Sequence, residues 1–594
     1  MSPRRTLSFR SPLVFSAAAL SLSLALGAAR EPQPAATPAA LPAVAPQEDL
    51  PGPGVATSET CTLCHAESVN AMAMRDSKGN TIAPFDLWQS TMMANSARDP
   101  FWRAVMSAEM AATPNAKDAI AAKCLKCHTP LADQVGLDDH GTDDPLHALD
   151  CDGELGTMAM DGVSCTICHG MSPDGLGTDA SFTAGFKINP YLELYGPHKD
   201  PVPRPMINHS NFTPAYGAHV TRSSLCGSCH TLQTDALSPE GEVLSTGFHE
   251  QTPYLEWRNS AFSDEDAEGQ PMNPAPAGSK TCQACHMPTT DEFGVRTKTK
   301  IAHNPPGFDF PFIDPRSPFG RHLFVGGNAF MLTMLRDNAE ALGVAAPAEA
   351  FDRTIAATRK QLGSRTASVS IENAKSEGGV LSFDVDVTNL TGHKLPTGHP
   401  SRRMWLEVVA KDDAGAVLFA SGSWNEQGLI VDGAGEVLPT EVRGGPIEPH
   451  RELVSSDTEV ARYRGVMSGV EGDATFMLLR GDSWLIDDRI LPRGWSPSHP
   501  DAAAAQPYGT GTDADYAPKE GALAQGKDRV AYRIDLGDAA VDAVQVRLVY
   551  QTVSPRYVAE SLSFETPEIK RFMDMYEASD RTPEVLASGY WRPR

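Results

Sequence analysis

The chain has 594 residues, 41% hydrophobic and 21% charged, with a formal net charge of −25. This length exceeds one ordinary core and predicts two or three domains. The acidic balance excludes nucleic acid as a natural partner. Past the N-terminal leader, no stretch is long and apolar enough to span a bilayer.

Residues 1–29 read as a secretory signal peptide. Arg4, Arg5 and Arg10 form a basic start, an apolar run extends from about Leu13 to Leu26, and the small residues Gly27, Ala28 and Ala29 suit cleavage. A retained anchor is the competing reading. No Cys follows the apolar run, so no lipoprotein anchor is expected. Cleavage removes three Arg and no acid, taking the net charge from −25 to −28. The protein is therefore expected to be periplasmic or otherwise exported. Residues 30–56, rich in Ala and Pro, read as a flexible linker.

All 11 cysteines lie between Cys61 and Cys285, in a segment rich in Gly, Pro and Asp. Short helices joined by long loops are expected over residues 57–325. A helical connector follows over 326–365. Its first helix is expected from Asn328 to Leu342 and its second from Pro347 to Leu362, with Phe351, Ile355 and Leu362 on one face. Pro347 marks the start and Gly363 the stop. The period then changes to two. Leu381, Phe383, Val385 and Val387 alternate with polar residues, as do Val544, Val546, Leu548 and Tyr550, with Val549 out of pattern. Residues 366–560 are read as a β-sandwich. Residues 561–594 form a closing helix, Pro567 to Ala578, and a tail. The fold class expected is α+β and multidomain: a mainly helical and loop-rich domain built around its cysteines, followed by a β-sandwich domain.

Five copies of Cys-x-x-Cys-His carry this expectation: Cys61/Cys64/His65, Cys124/Cys127/His128, Cys165/Cys168/His169, Cys226/Cys229/His230 and Cys282/Cys285/His286. Two thiols add across the two vinyl groups of a haem, and the short tether brings the next imidazole under the iron. With 11 Cys and 17 His in 594 residues, chance supplies about 0.006 such matches. Zinc sites would pair Cys-x-x-Cys units and need no His after each second Cys. A redox dithiol would occur once. A disulfide framework leaves the fifth-position His unexplained. Five covalent haems c are thus expected. Cys151 is left over, either an incidental thiol or a group beside a haem. At roughly 45 residues per motif over residues 61–286, the segment is expected to pack around closely spaced porphyrins.

Several stretches carry a resemblance. They are Trp88-Gln-Ser90-Thr-Met92-Met93, Asp161-Gly-Val-Ser-Cys165, Tyr195-Gly-Pro-His198, Ser224-Leu-Cys226 through His230, and Tyr254-Leu-Glu-Trp257. With them, the chain resembles multihaem cytochromes related to the tetrahaem cytochrome that accepts electrons from hydroxylamine oxidoreductase. Arg321-His322-Leu-Phe324 and Thr391-Gly-His393-Lys-Leu-Pro396 are similar to a larger cytochrome group with an added β-domain. The resemblance implies bis-histidine haems in close-packed pairs and an electron-transfer role. Met92-Met93 departs from it where relatives often carry His, which puts one sixth ligand in doubt.

Twelve histidines lie outside the motifs. His198, His209, His219, His303, His322 and His393 are the candidate sixth ligands. For each, the alternative is a surface or hydrogen-bonded histidine. His140, His147, His249, His399, His450 and His499 are assigned no metal role. Met92 or Met93 is more readily packed against a haem edge than ligated.

The function expected is electron transfer, with no catalytic residue assigned. The partner expected is a redox protein with a basic docking patch, unless the charge only keeps the chain soluble. The alternative is a multihaem oxidoreductase acting on a small nitrogen or sulfur compound at one open iron. A docking role for the β-domain is compatible with the first reading.

Overall fold

The computed structural model describes residues 54–136, 146, 149, 153–291, 293–519 and 521–593. The leader, most of the linker, His140, His147 and Cys151 lie outside them. The described chain combines short helices with several sheets, a mixed α+β architecture. Among the described residues, no helix is long and apolar enough to cross a membrane.

Between Glu59 and His286 the chain makes short helices, five of which carry or adjoin a Cys-x-x-Cys-His motif. The longest is Pro100–Ala112. Pro100 occupies its first turn, and the Asp99 side chain accepts from the Phe101 and Trp102 N–H groups, which closes its open end. The helices Glu59–His65 and Cys282–His286 bury no residue fully.

The connector runs as expected in outline. Asn328 caps Ala329–Asp337 by accepting from Met331 N–H at 3.1 Å, but the helix breaks at Asn338 before a final turn, Ala339–Leu342. The second helix, Ala348–Arg365, buries Phe351, Ile355 and Leu362. It passes through Gly363 instead of stopping there. A lone helical Gly costs about 1 kcal/mol, too little to end a helix whose apolar face is already packed.

Two large sheets make most of the C-terminal half, beside a two-stranded pair of 423–424 with 430–431. One has four strands in the order 453–454, 527–535, 380–389, 367–377. The other runs 474–475, 462–468, 403–411, 543–551, 584–591, with 483–487 and 417–421 paired at its sides. Their inner faces share one core. Leu381, Phe383, Val385 and Val387 of the first sheet meet Met404, Leu406, Val408, Val544, Val546 and Leu548 of the second. Val549 points the other way and is still fully buried, against Trp405, Ile430, Leu438 and Val460. The outer face is covered there, which explains the break in alternation. The helix Pro567–Ala578 is followed by a strand, Glu584–Trp591, that pairs antiparallel with Ala543–Gln551. The tail is therefore part of the sandwich, which sequence alternation did not reveal because only Leu586 and Gly589 of that strand are buried.

Candidate functional site

The motifs approach one another in two groups: Cys61 neighbours Cys165, while Cys127 neighbours Cys229 and Cys226 neighbours Cys282. All ten motif cysteines are of intermediate burial. Local sequence explains the neighbours. Asp161 accepts from Ser58 N–H at 2.8 Å and from the Ser58 hydroxyl, which ties the start of the first motif helix to the third motif. Gly162 beside it has φ +63, and a Cβ there would sit 2.7 Å from the carbonyl oxygens of Met93 and Ala94. Only glycine fits that turn. The fifth motif is tied to the fourth when Cys282 N–H donates to Ser223 Oγ at 3.0 Å and Gln283 Nε2 donates to Arg222 O at 2.7 Å.

Four motif histidines share one orientation. Nδ1 of His65 donates to Ile301 O at 3.1 Å, His128 to Ser96 O at 3.2 Å, His169 to Tyr195 O at 2.6 Å, and His286 to Val325 O. A backbone carbonyl can only accept, so Nδ1 carries the proton and Nε2 keeps its lone pair. Metal-bound imidazoles are fixed in this way. His230, in the fourth motif, is held through its backbone, its N–H donating to Cys226 O at 2.9 Å. Burial pushes His65, His128 and His230 down to about 4, so they are neutral near pH 7.

Two motif histidines have a second imidazole opposite them. The His169 and His322 rings have centroids 6.3 Å apart at 24°, and those of His286 and His393 are 6.5 Å apart at 24°. Trans imidazoles on one metal place each nitrogen about 2.0–2.1 Å from it. Adding about 1 Å per ring brings the centroids to roughly 6 Å apart. The second rings are oriented like the first, with Nδ1 of His322 donating to Gly320 O at 3.1 Å and Nδ1 of His393 to Lys394 O at 2.9 Å. The donor set and its tautomers thus fit haem iron at both places.

The remaining candidates are placed differently. His303 directs Nδ1 at Asn304 O, 2.7 Å, and Nε2 at Ala66 O, 3.0 Å. Both ring nitrogens of His303 thus point at carbonyl oxygens, only one of which a neutral imidazole's single N–H can serve. His219 directs Nε2 at Met171 O, 2.9 Å, and packs edge-on against Tyr195. His209 is exposed on the helix Pro203–Ser210, and His198 is half-buried near Arg316 and Asp200. Met92 packs against the connector helices.

His399, which the sequence assigned no metal role, is half-buried against Phe101 and Tyr557, while the next residue of that helix, Trp102, stacks on His128 at 4.3 Å. Burial and the charges of Arg402 and His128 push it down to about 3. Its Nδ1 accepts from Ser401 N–H at 3.2 Å, the opposite tautomer from the paired rings. A repeat could have flagged it, since Thr-Gly-His occurs at both 391–393 and 397–399.

His393 reaches the cluster from the β-sandwich half, and a buried ion network holds its loop there. Glu256 accepts from Lys394 N–H at 3.0 Å and lies 3.3 Å from the Arg489 guanidinium. Asp487 accepts from Lys394 Nζ at 2.6 Å and Arg489 at 2.7 Å. Lys394, Asp487 and Glu256 are 0% exposed. The Tyr254-Leu-Glu-Trp257 element thus supplies its carboxylate to a joint between the two halves.

No protein-family model matches the chain, and no curated protein matches it. Among solved structures it is similar to the crystal structure of a penta-heme cytochrome c552 from Thermochromatium tepidum. The two are 15% identical, the match covers 91% of this chain and 100% of that one, and the TM-score is 0.47.

Proposed function

We propose that the protein is an exported multihaem c-type cytochrome that transfers electrons through five covalently attached, closely packed haems. The observation that carries this reading is the pair of facing imidazole stacks, His169 with His322 and His286 with His393, each beginning at a Cys-x-x-Cys-His motif. Bound haem supplies a one-electron iron couple.

The chain's own residues do the rest. The paired thiols would anchor each porphyrin, and the carbonyls of Ile301, Ser96, Tyr195 and Val325 fix four proximal rings. His322 and His393 would hold the opposite face of the third and fifth sites. Cysteines of different motifs lie side by side, which would bring their haems close, as short-range electron exchange needs. Two imidazoles per iron favour low potentials over the higher ones that a Met ligand brings. The acidic surface suits a redox partner with a basic docking patch.

Mass spectrometry of the mature protein, made in a host with haem-attachment machinery, should show five haem increments. Four or fewer in fully matured material would overturn the count. A ferric spectrum that is high-spin at most sites would overturn the ligation.

A further inference from the structure

A second cluster of metal-ligating groups lies in the β-sandwich half, built on different residues from the motifs. One ligand atom from each of His450, Asp513 and Asp528 lies within 4.8 Å of the other two. His450 comes from the loop before strand 453–454, Asp513 from the loop 509–517, and Asp528 from the strand 527–535. Asp513 and Asp528 are 6% and 1% exposed.

The hydrogen bonds around the cluster are incomplete in a specific way. Asp528 Oδ2 accepts from the Tyr463 hydroxyl at 2.7 Å, but Asp528 Oδ1 is buried with no partner. The Tyr532 hydroxyl, 1% exposed and on the same strand four residues on, is also without one. A buried carboxylate oxygen left unsatisfied costs more than a typical hydrogen bond gains. His450 lies between two carboxylates. Its Nε2 is 3.0 Å from Asp513 Oδ2, and its Nδ1 is 3.5 Å from Asp488 Oδ2. Asp488 is fixed in turn by accepting from Arg464 N–H at 2.7 Å. The Tyr516 ring covers the imidazole edge-on at 5.0 Å.

We propose that His450, Asp513 and Asp528 bind one divalent first-row metal ion of the Zn²⁺ type, with Asp488 as the residue that positions the His450 ring. His450 Nε2 and one oxygen from each aspartate are the ligands. Asp488 Oδ2, 3.5 Å from Nδ1 and, like it, buried with no hydrogen-bond partner, would accept from Nδ1–H when the metal takes Nε2, the carboxylate–histidine–metal relay that sets tautomer and ring angle. A metal on Nε2 displaces the proton there; three buried carboxylates would then face the Arg464 guanidinium alone, two negative charges that a divalent ion would balance. One nitrogen with carboxylate oxygens suits Zn²⁺ or a neighbouring first-row ion. Ca²⁺ prefers six to eight oxygens and Mg²⁺ keeps most of its water.

The test uses the full-length haem-loaded protein, stripped with chelator and titrated with Zn²⁺ by equilibrium dialysis. One Zn²⁺ per chain should bind, and Ca²⁺ and Mg²⁺ should compete weakly. His450→Gln and Asp528→Asn should each weaken binding by at least a hundredfold, and Asp488→Asn by about ten- to a hundredfold. Unchanged Zn²⁺ affinity in His450→Gln, or tighter binding of Ca²⁺ than of Zn²⁺, overturns the proposal. X-ray absorption on the wild-type complex keeps the question decidable if a variant fails to fold. One imidazole with oxygen neighbours is expected, and a sulfur shell overturns the site. Failure to bind Zn²⁺ at all overturns it equally.

Discussion

The motif region, residues 54–325, and the sandwich region, residues 366–591, hold their shapes by different means. The sandwich brings two apolar faces together in a core that includes Phe383, Val385, Leu406 and Val546, all at most 2% exposed. In the motif region a smaller apolar cluster has Cys124, Cys127 and Cys229 packed at its margin, and the motif helices are bound by polar ties. Periodic sequence builds the first kind of region, because alternate residues on a strand share a face. Motif spacing builds the second, where the polypeptide positions thiols and imidazoles more than it buries side chains.

Variants can strain that contrast. The largest effect is expected from Phe383→Ala, which should cost about 3–5 kcal/mol in a denaturant titration by leaving a cavity between the sheets. The haem spectrum should stay unchanged. A spectral change of the same size would show that the two regions share one packing unit.

Lys394→Met tests the joint between them. It leaves the buried Asp487 and Glu256 carboxylates with only the Arg489 guanidinium to balance them and should cost about 3 kcal/mol. Because Lys394 adjoins His393, the fifth haem site should change its spectrum as well. Stability lost without any spectral change would separate the ion network from the imidazole pair.

A pH dependence comes next. Glu109, 3% exposed, is pushed up to about 7 by burial, against the Leu478 and Leu479 N–H groups that it accepts from. A carboxyl whose pKa is raised on folding favours the folded state while protonated. That contribution is complete below the unfolded value near 4.5 and is lost as pH rises through about 7. Glu109→Gln should therefore gain about 1–3 kcal/mol on the parent at pH 8 relative to pH 4.5. Thermal melts of both proteins at the two pH values measure it, and parallel curves would contradict it.

The smallest changes in stability are expected from His322→Ala and His393→Ala. Each should turn one haem of the set high-spin and open it to carbon monoxide when reduced, at full haem occupancy. His303→Ala should leave the spectrum as it was, because both its ring nitrogens point at carbonyl oxygens. A high-spin signal from His303→Ala and none from His322→Ala would reverse the proposed pairing.

By itself, the sequence determined the features that are covalent or periodic. The five motifs were legible because Cys-x-x-Cys-His is a run of five consecutive residues. The strand 380–389 was legible because its period-two pattern faces a single core, and Val549 was not, because both faces of its sheet are covered there. The helix Ala348–Arg365 was legible by its apolar face, but its stop was not, since packing outweighed one Gly. Only the tertiary structure decided which histidines stand together. His322 meets His169 and His393 meets His286 across long intervening chain, while His303 turns to the Ala66 carbonyl. His450, Asp513 and Asp528 come from separate loops and a strand. Such pairings have no local signature: they depend on loop closure, burial and the need to satisfy each buried polar atom, none of which acts between neighbours in sequence.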